Sequence, residues 1–138
     1  MKQVFINIPV NDVEKSMQFY LALGFTMNPL FTDEQQKCMV WSDAIYIMLQ
    51  TRQFANTHLS KQVTDARKFQ MPSFTLPVES EEVVDKTVEK GLQANGTEPN
   101  AAFRAPFMYL RTIEDIDGYT WGVMCLDLAT FKAIKDKL

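Results

Sequence analysis

The chain has 138 residues, 46% of them apolar, and a net charge of -3 at pH 7. This length and composition suffice for one hydrophobic core, so we expect a single domain over residues 1–138. The acidic balance, with no local cluster of Lys and Arg, argues against a nucleic-acid partner. No apolar run reaches the roughly 18 residues that a membrane span needs, so we expect no membrane partner and a cytoplasmic location.

The first strand is predicted over residues 4–10 by its alternating pattern. In a strand, successive side chains point to opposite faces of the sheet. Ile6, Ile8 and Val10 should therefore share one face, and Phe5 and Asn7 should share the other. We expect the apolar face to be covered by a helix and the Phe5 face to have a different role.

An amphipathic helix follows this strand. Asn11 is a suitable N-cap with Glu14 as the second half of a capping box, and Gly24 is placed to end the helix. The segments 38–41 and 45–50 then read as a hairpin, with Ile residues toward the helix. Three side chains of its second strand should lie on the same face as Phe5: Tyr46, Met48 and Gln50.

The same plan returns later in the chain. The strand and helix of residues 6–25 have a counterpart in residues 74–92, which indicates two related β-α-β-β-β modules. We place the modules at about residues 1–52 and 71–127, joined by a connector at 53–70. A short helix over residues 128–138 closes the chain.

The second module contains an acidic turn between its last two predicted strands. The strands are expected at 107–112 and 119–126, and residues 114–118 form the turn. We interpret its carboxylates as solvated, because the turn lacks the spaced oxygen donors and terminal Glu of a calcium loop. Cys38 and Cys125 lie far apart without a Cys-x-x-Cys motif, so we expect two reduced, packed thiols.

These motifs resemble the vicinal oxygen chelate superfamily, which includes glyoxalase I, extradiol dioxygenases and the bleomycin and fosfomycin resistance proteins. The branch most similar to this chain is that of the bacterial predicted lactoylglutathione lyases. The resemblance spans nearly the whole chain. It is carried by Asn7-Ile8-Pro9-Val10-Asn11-Asp12-Val13-Glu14-Lys15-Ser16, Phe19-Tyr20, Leu23-Gly24-Phe25, Asn28-Pro29, Phe31-Thr32-Asp33-Glu34, Ile45-Tyr46-Ile47-Met48-Leu49, Met108-Tyr109 and Asp115-Ile116-Asp117-Gly118-Tyr119-Thr120-Trp121.

The resemblance implies an α+β fold in which paired β-α-β-β-β modules form an incomplete barrel around a cleft, with the helices outside. It also implies a homodimer, because related folds bury sheet edges by pairing or swapping modules. Members of the superfamily commonly hold a divalent metal in the cleft on His, Glu or Gln side chains. Such a metal chelates a substrate through two neighbouring oxygens.

The residues at the usual metal positions do not suit a metal. By the family pattern, the four positions fall on Phe5, Ser73, Gly122 and about Met48. None of these supplies an imidazole or a carboxylate, and Gln50 is the only donor near the last of them. We therefore predict no cofactor, with a divalent metal as the disfavoured alternative.

The cleft itself is predicted from strand alternation. The strand at 107–112 leaves two possibilities, Met108 with Leu110 or Tyr109 with Arg111. Arg104 and Arg111 flank this strand, where each could clamp an anion or form a surface salt bridge. The predicted ligand-binding residues are Phe5, Asn7, Tyr46, Met48, Gln50, Ser73, Thr75, Met108, Arg111, Thr120, Gly122 and Met124.

Two other side chains have alternative interpretations. His58, the only histidine, is expected to be a solvent-facing connector residue, since a general base needs a defined partner and pocket. Cys38 could be nucleophilic if it faced the cleft. No nearby His or helix N-terminus lowers its pKa, so a packed thiol is the favoured interpretation.

These observations predict a small-molecule binding protein with a degenerate metal site. Its cleft would hold a partly apolar or aromatic molecule, and no catalytic residue is assigned. One alternative is a lyase or dioxygenase of the same superfamily that uses a displaced metal near Gln50. A second alternative is a protein-interaction module whose cleft is filled by its own side chains, mainly Phe5.

Overall fold

The computed structural model describes all residues 1–138 and contains two four-stranded sheets and four helices. The α+β class predicted from the sequence is confirmed. The elements are β1 (Val4–Val10), α1 (Val13–Leu23), β2 (Thr26–Met27), β3 (Gln36–Val40), β4 (Ile45–Thr51), α2 (Arg52–Asn56), β5 (Phe74–Pro77), α3 (Glu81–Gln93), β6 (Phe103–Ala105), β7 (Met108–Glu114), β8 (Thr120–Leu126) and α4 (Leu128–Asp136).

The two sheets have equivalent topology. The first has the order β1-β4-β3-β2 and the second has the order β5-β8-β7-β6. In each sheet the first strand pairs in parallel with the last strand, and the other neighbours are antiparallel. This equivalence agrees with the repeat seen in the sequence. None of the helices is long and apolar enough to cross a lipid bilayer.

The two long helices lie between the sheets. α1 packs on β3 and β4, α3 packs on β7 and β8, and the two helices contact each other. One core of 18 buried apolar residues combines the inner faces of both sheets with both helices. The two sheets are therefore layered around a shared core and do not close into a barrel within one chain.

The close approach of α1 and α3 depends on a glycine. A Cβ atom on Gly91 would lie 2.3 Å from Cδ1 of Ile113 and 3.1 Å from Cδ1 of Leu23. Both of these side chains are almost fully buried, so they have little room to move. Gly91, near the end of α3, thus permits a contact that a larger residue would obstruct.

The start of α1 differs from the sequence prediction. Asp12, not Asn11, is the N-cap, and its carboxylate accepts hydrogen bonds from the amides of Glu14 and Lys15. Asn11 lies one residue earlier and has another partner, because its backbone N–H donates to Oδ1 of Asp117 at 2.9 Å. The capping box predicted from Asn11 and Glu14 is therefore wrong by one residue.

The acidic turn is buried, so the prediction of solvated carboxylates is wrong for Asp115 and Asp117, which are 4% and 3% exposed. Oδ1 of Asp115 accepts hydrogen bonds from the amides of Asp117 and Tyr119 at 3.0 and 2.9 Å. The hydroxyl of Tyr20 donates to Oδ2 of Asp115 and accepts from Nε1 of Trp121 at 3.0 Å. These partners compensate for the loss of water around a buried carboxylate.

Burial raises the pKa of Asp115 from its ordinary value of 3.8 to about 6, although the hydrogen bond from Tyr20 acts in the opposite direction. The folded protein therefore holds this proton more tightly than the unfolded chain does. Consequently, the contribution of Asp115 to stability is fully present below about pH 4. Roughly 3 kcal/mol of it is lost as the pH rises to about 6.

We predict that Tyr20→Phe destabilises the protein by roughly 3 kcal/mol at pH 7, because it leaves Oδ2 of Asp115 and the Trp121 indole N–H buried without a partner. Removal of the hydroxyl should also raise the pKa of Asp115 further. The stability difference from wild type should therefore increase between pH 6 and pH 8. Urea unfolding at a series of pH values, with a ¹³C NMR titration of the Asp115 carboxyl, measures both effects.

Tyr46→Phe is the matched control, because the hydroxyl of Tyr46 donates to the exposed Asp43 carbonyl at 3.1 Å. This variant should change the free energy of unfolding by less than about 0.5 kcal/mol. Equal effects of the two substitutions, or parallel pH profiles for Tyr20→Phe and wild type, would contradict the assignment.

We predict that Gly91→Ala destabilises the protein by about 1–3 kcal/mol through overpacking of α3 against Ile113 of β7 and, to a lesser degree, Leu23 of α1. In an unobstructed helix the same change is stabilising by about 1 kcal/mol. Lys90→Ala, at the exposed neighbouring position of α3, is the control and should be nearly neutral. The midpoints and slopes of urea unfolding curves test this, and a stabilised Gly91→Ala variant would refute the close contact.

Candidate functional site

The first sheet has an open face, directed away from α1, that carries five of the predicted residues. The register pairs Phe5 with Tyr46 and Asn7 with Met48. The alternate residues of both strands, such as Ile8 and Ile47, belong to the core. Strand alternation therefore places these five on the opposite face, as predicted: Phe5, Asn7, Tyr46, Met48 and Gln50.

Aromatic and amide groups dominate the chemistry of this face. The rings of Phe5 and Tyr46 stack with their centroids 4.5 Å apart at an interplanar angle of 8°, and Phe5 is 47% exposed. Met48 and Gln50 are buried. Nε2 of Gln50 lies 3.5 Å from Oε1 of Gln36, and Oε1 of Gln50 has no hydrogen-bond partner. A buried, unpaired acceptor thus lies on the same face as an accessible aromatic pair.

β3 contributes residues that the sequence analysis did not assign to the site. Cys38 pairs with Met48 and Val40 pairs with Tyr46, so both lie on the open face. Cys38 is fully buried, and burial raises the pKa of its thiol. The thiol therefore stays protonated, in agreement with the packed-thiol interpretation. The register between β3 and β4 identifies these residues, because it shows which side chains of β3 lie beside Tyr46 and Met48.

The second sheet also has an open face. A Cβ atom on Gly122 would lie 3.1 Å from Oγ1 of Thr75 and 3.2 Å from Cδ1 of Leu110. Thr75 pairs with Gly122, and Leu110 lies diagonally beside Gly122, so these three residues share one face across β5, β8 and β7. Alternation adds Met108, Thr112, Thr120 and Met124 to the same face. Ser73, immediately before β5, is exposed.

Arg111 is not part of this face, and its assignment to the site is wrong. It alternates with Met108 and Leu110 and points toward α3, where it is 9% exposed. Its guanidinium lies 3.0 Å from Asp85, 2.9 Å from Glu89 and 2.8 Å from Glu98. Hydrogen bonds to Glu98, Glu89 and Asp85 hold the pKa of Arg111 above its ordinary value, so the cation is permanently paired.

Two other side chains considered from the sequence also lie away from the open faces. Arg104 forms a salt bridge with Glu81 and lies 4.0 Å above the ring centroid of Tyr109. Salt bridging, rather than anion clamping, is therefore its role in the structure. His58 is exposed, and its ring contacts that of Phe54 with the centroids 5.2 Å apart.

The two open faces do not form one cleft within the chain. Each lies on the far side of its sheet from the α1–α3 pair, and on the first face Phe5 and Asn7 are exposed whereas Cys38, Met48 and Gln50 are buried. Asn7 lines a cavity of about 270 Å³ whose other walls include Met71, Pro72, Phe74 and Tyr119. None of those four residues belongs to the open face of the second sheet.

The donor groups on the open faces do not fit a divalent metal of the usual type. The four positions corresponding to metal ligands are Phe5, Met48, Ser73 and Gly122, which provide a ring, a thioether, a hydroxyl and a hydrogen atom. No group of three or more His, Cys, Asp or Glu is arranged to hold an ion. Transition-metal and zinc sites need several such donors at fixed distances.

Comparisons with known proteins agree with this architecture. Residues 2–42 match the family of bleomycin resistance protein-like N-terminal segments. A hypothetical protein SA1046 from S. aureus is 26% identical, with a TM-score of 0.73 over 91% of this chain and 94% of that one. No curated protein matches the sequence.

Two further solved structures have names that describe a family. A glyoxalase-related enzyme from Fulvimarina pelagi is 21% identical, with a TM-score of 0.76 over 91% of this chain and 88% of that one. A glyoxalase/bleomycin resistance protein/dioxygenase family enzyme from Burkholderia phytofirmans PsJN is 16% identical, with a TM-score of 0.71 over 91% and 99%. None of the three proteins carries the name lactoylglutathione lyase, so that narrower likeness stays a prediction. The match over residues 2–42 and the shared fold agree with the broader resemblance: the chain has the fold of these glyoxalase-related proteins, and its N-terminal segment is similar to that of bleomycin resistance proteins.

Proposed function

We propose that this protein binds a small, partly apolar or aromatic molecule between the open face of the first sheet and that of the second sheet. The proposal rests on a row of side chains along one face of β4. Tyr46, Met48 and Gln50 follow one another on one face over roughly 13 Å. They offer a stacked ring, a thioether and an unpaired amide oxygen. Such a combination suits a planar ligand with a hydrogen-bond donor at one end.

The complete cleft requires two copies of the chain in this proposal. Each open face lies on the far side of its sheet from the helices, and half-exposed apolar side chains such as Phe5 and Phe103 lie on the two faces. A cytoplasmic homodimer, in which the first sheet of one copy faces the second sheet of the other, would cover both. Asn7, Ser73 and Thr75, which are exposed in the single chain, would then orient polar groups of the ligand.

The protein would bind its ligand without transforming it and without a metal cofactor. Support for this part comes from the donor set, because aromatic, thioether, amide and hydroxyl groups do not activate a bound oxygen as a metal ion does. Metal analysis of protein purified without a chelator tests it. Stoichiometric zinc, nickel, iron or manganese that depends on Gln50 would instead support a lyase or dioxygenase with a displaced site.

We predict that Phe5→Ala weakens the binding of bicyclic aromatic amides by about 10-fold or more, because it removes one ring of the stacked pair. Phe69→Ala, which removes an exposed ring of the connector, is the control and should leave affinity unchanged. Titrations followed by ¹H–¹⁵N NMR identify both the affinity and the site. If no aromatic compound shifts the amides of β1 and β4, the proposed function is wrong.

We further predict that two binding-deficient variants restore binding when they are mixed. Phe5→Ala damages the half-site of the first sheet, and Thr75→Trp fills the half-site of the second sheet. If each cleft combines two chains, a mixed dimer has one fully wild-type cleft. Random exchange of subunits should then recover about one quarter of the sites. Sedimentation velocity establishes the dimer and the exchange of subunits, and failure of the exchanged mixture to bind would overturn the proposed cleft between two chains.

A further inference from the structure

A groove lies outside the two open faces, where α1, the end of α3, the connector and the β7–β8 turn meet. Its volume is about 540 Å³, within the range of about 300–1,000 Å³ that is usual for small-molecule sites. Several of its lining side chains are charged or polar: Asp12, Lys15, Gln18, Arg67, Asn95 and Asp117. No residue of the open faces lines it.

Asp117 supplies an unpaired acceptor in this groove. Its Oδ1 accepts the backbone N–H of Asn11 at 2.9 Å, whereas its Oδ2 is buried and has no partner. By contrast, both carboxylate oxygens of the neighbouring Asp115 are hydrogen-bonded. Asp117 lines the groove, and an unpaired buried carboxylate oxygen is costly, so a ligand that donates a hydrogen bond to it would offset that cost.

Two cations in the groove are also unpaired. Neither Arg67 nor Lys15 forms a salt bridge with a carboxylate. Nη2 of Arg67 donates only to the carbonyl of Ile116, at 2.7 Å. The connector backbone at Arg67 packs tightly on the turn, because a Cβ atom on Gly118 would lie 2.7 Å from the amide nitrogen of Arg67. The groove therefore holds the buried carboxylate of Asp117, the exposed carboxylate of Asp12 and two accessible positive groups.

This combination of positive and negative side chains favours some classes of ligand over others. A simple anion would be repelled by the carboxylates of Asp12 and Asp117, and a divalent cation would be repelled by Lys15 and Arg67. The carboxylate of Asp12 already caps α1. A small zwitterion suits both signs of charge, since its ammonium can donate to Asp117 while its carboxylate accepts from Arg67 and Lys15.

We propose that this groove is a second binding site, separate from the open sheet faces, for a small zwitterion that carries an ammonium and a carboxylate group, as α-amino acids do. The site does not depend on dimer formation or on the cleft between the sheets. A ligand bound there would also link α1 with the β7–β8 turn, which Asp117 already connects through Asn11.

Three probes of similar size test the groove: L-alanine, propylamine and propionate. The readout is the set of ¹H–¹⁵N NMR shifts at Asn11, Asn95, Gly96 and Gly118. L-alanine should shift these amides in a saturable manner, propylamine should bind about 10-fold or more weakly, and propionate should not bind. Absence of saturable shifts with both alanine and propylamine would overturn the proposal.

Variants separate the roles of the charges. Asp117→Asn retains an oxygen for the N–H of Asn11 but removes the charge, so it should weaken alanine binding by about 10-fold or more. Arg67→Gln should weaken alanine binding toward the affinity of propylamine, with Lys15 retaining part of the difference, and should leave propylamine binding at least as strong as in wild type. Wild-type alanine affinity in Asp117→Asn would overturn the proposal.

A blocking variant keeps the test valid if Asp117→Asn does not fold. Gln18→Trp, at an exposed position of α1, should fill the groove and abolish the alanine shifts. Lys132→Trp, at an exposed position of α4 outside the groove, is the control and should bind alanine like wild type. Phe5→Ala should also leave alanine binding intact, so a failure of aromatic compounds to bind is distinguishable from a failure of this site.

Discussion

The arrangement of the whole molecule depends on the bonds that Tyr20 of α1 makes with the second module. Its hydroxyl joins the Asp115 carboxylate to the Trp121 indole, which lie about a hundred residues further along the chain. The hydroxyl of Tyr119 adds a bond of 2.8 Å to the carbonyl of Pro9. Because the β7–β8 turn is fixed to α1 and to the end of β1, both helices are held between the sheets. The open faces are consequently directed outward.

These hydrogen bonds between the two modules explain why burial of the acidic turn could not be predicted from the sequence. A segment rich in Asp and Glu before a strand is usually solvated, and nothing local distinguishes this one. The partner that makes burial possible is Tyr20, which reaches the turn only after the two modules have packed. A non-local hydrogen bond therefore reversed an expectation that was reasonable from composition alone.

The alternating pattern predicted the faces of the side chains correctly where one face of a strand is clearly apolar. β1 and β4 each carry a row of Ile, Leu or Val, and the opposite row, with Phe5 and Tyr46, was predicted and found together. In β7 both rows mix polar and apolar residues, so alternation alone could not decide. Arg111 faces the core because Asp85, Glu89 and Glu98 converge on it from α3 and the following loop, and only the tertiary structure shows this.

The unpaired buried polar atoms distinguish the two candidate sites chemically. The structure has three such side-chain atoms, Oγ of Ser16, Oε1 of Gln50 and Oδ2 of Asp117. Ser16 is within α1 and contributes to neither site. Gln50 presents a neutral acceptor on an aromatic face, which favours an uncharged donor, whereas Asp117 presents a buried carboxylate near unpaired cations, which favours an ammonium. The two acceptors lie in different parts of the molecule and differ in charge, so one ligand is not expected to satisfy both.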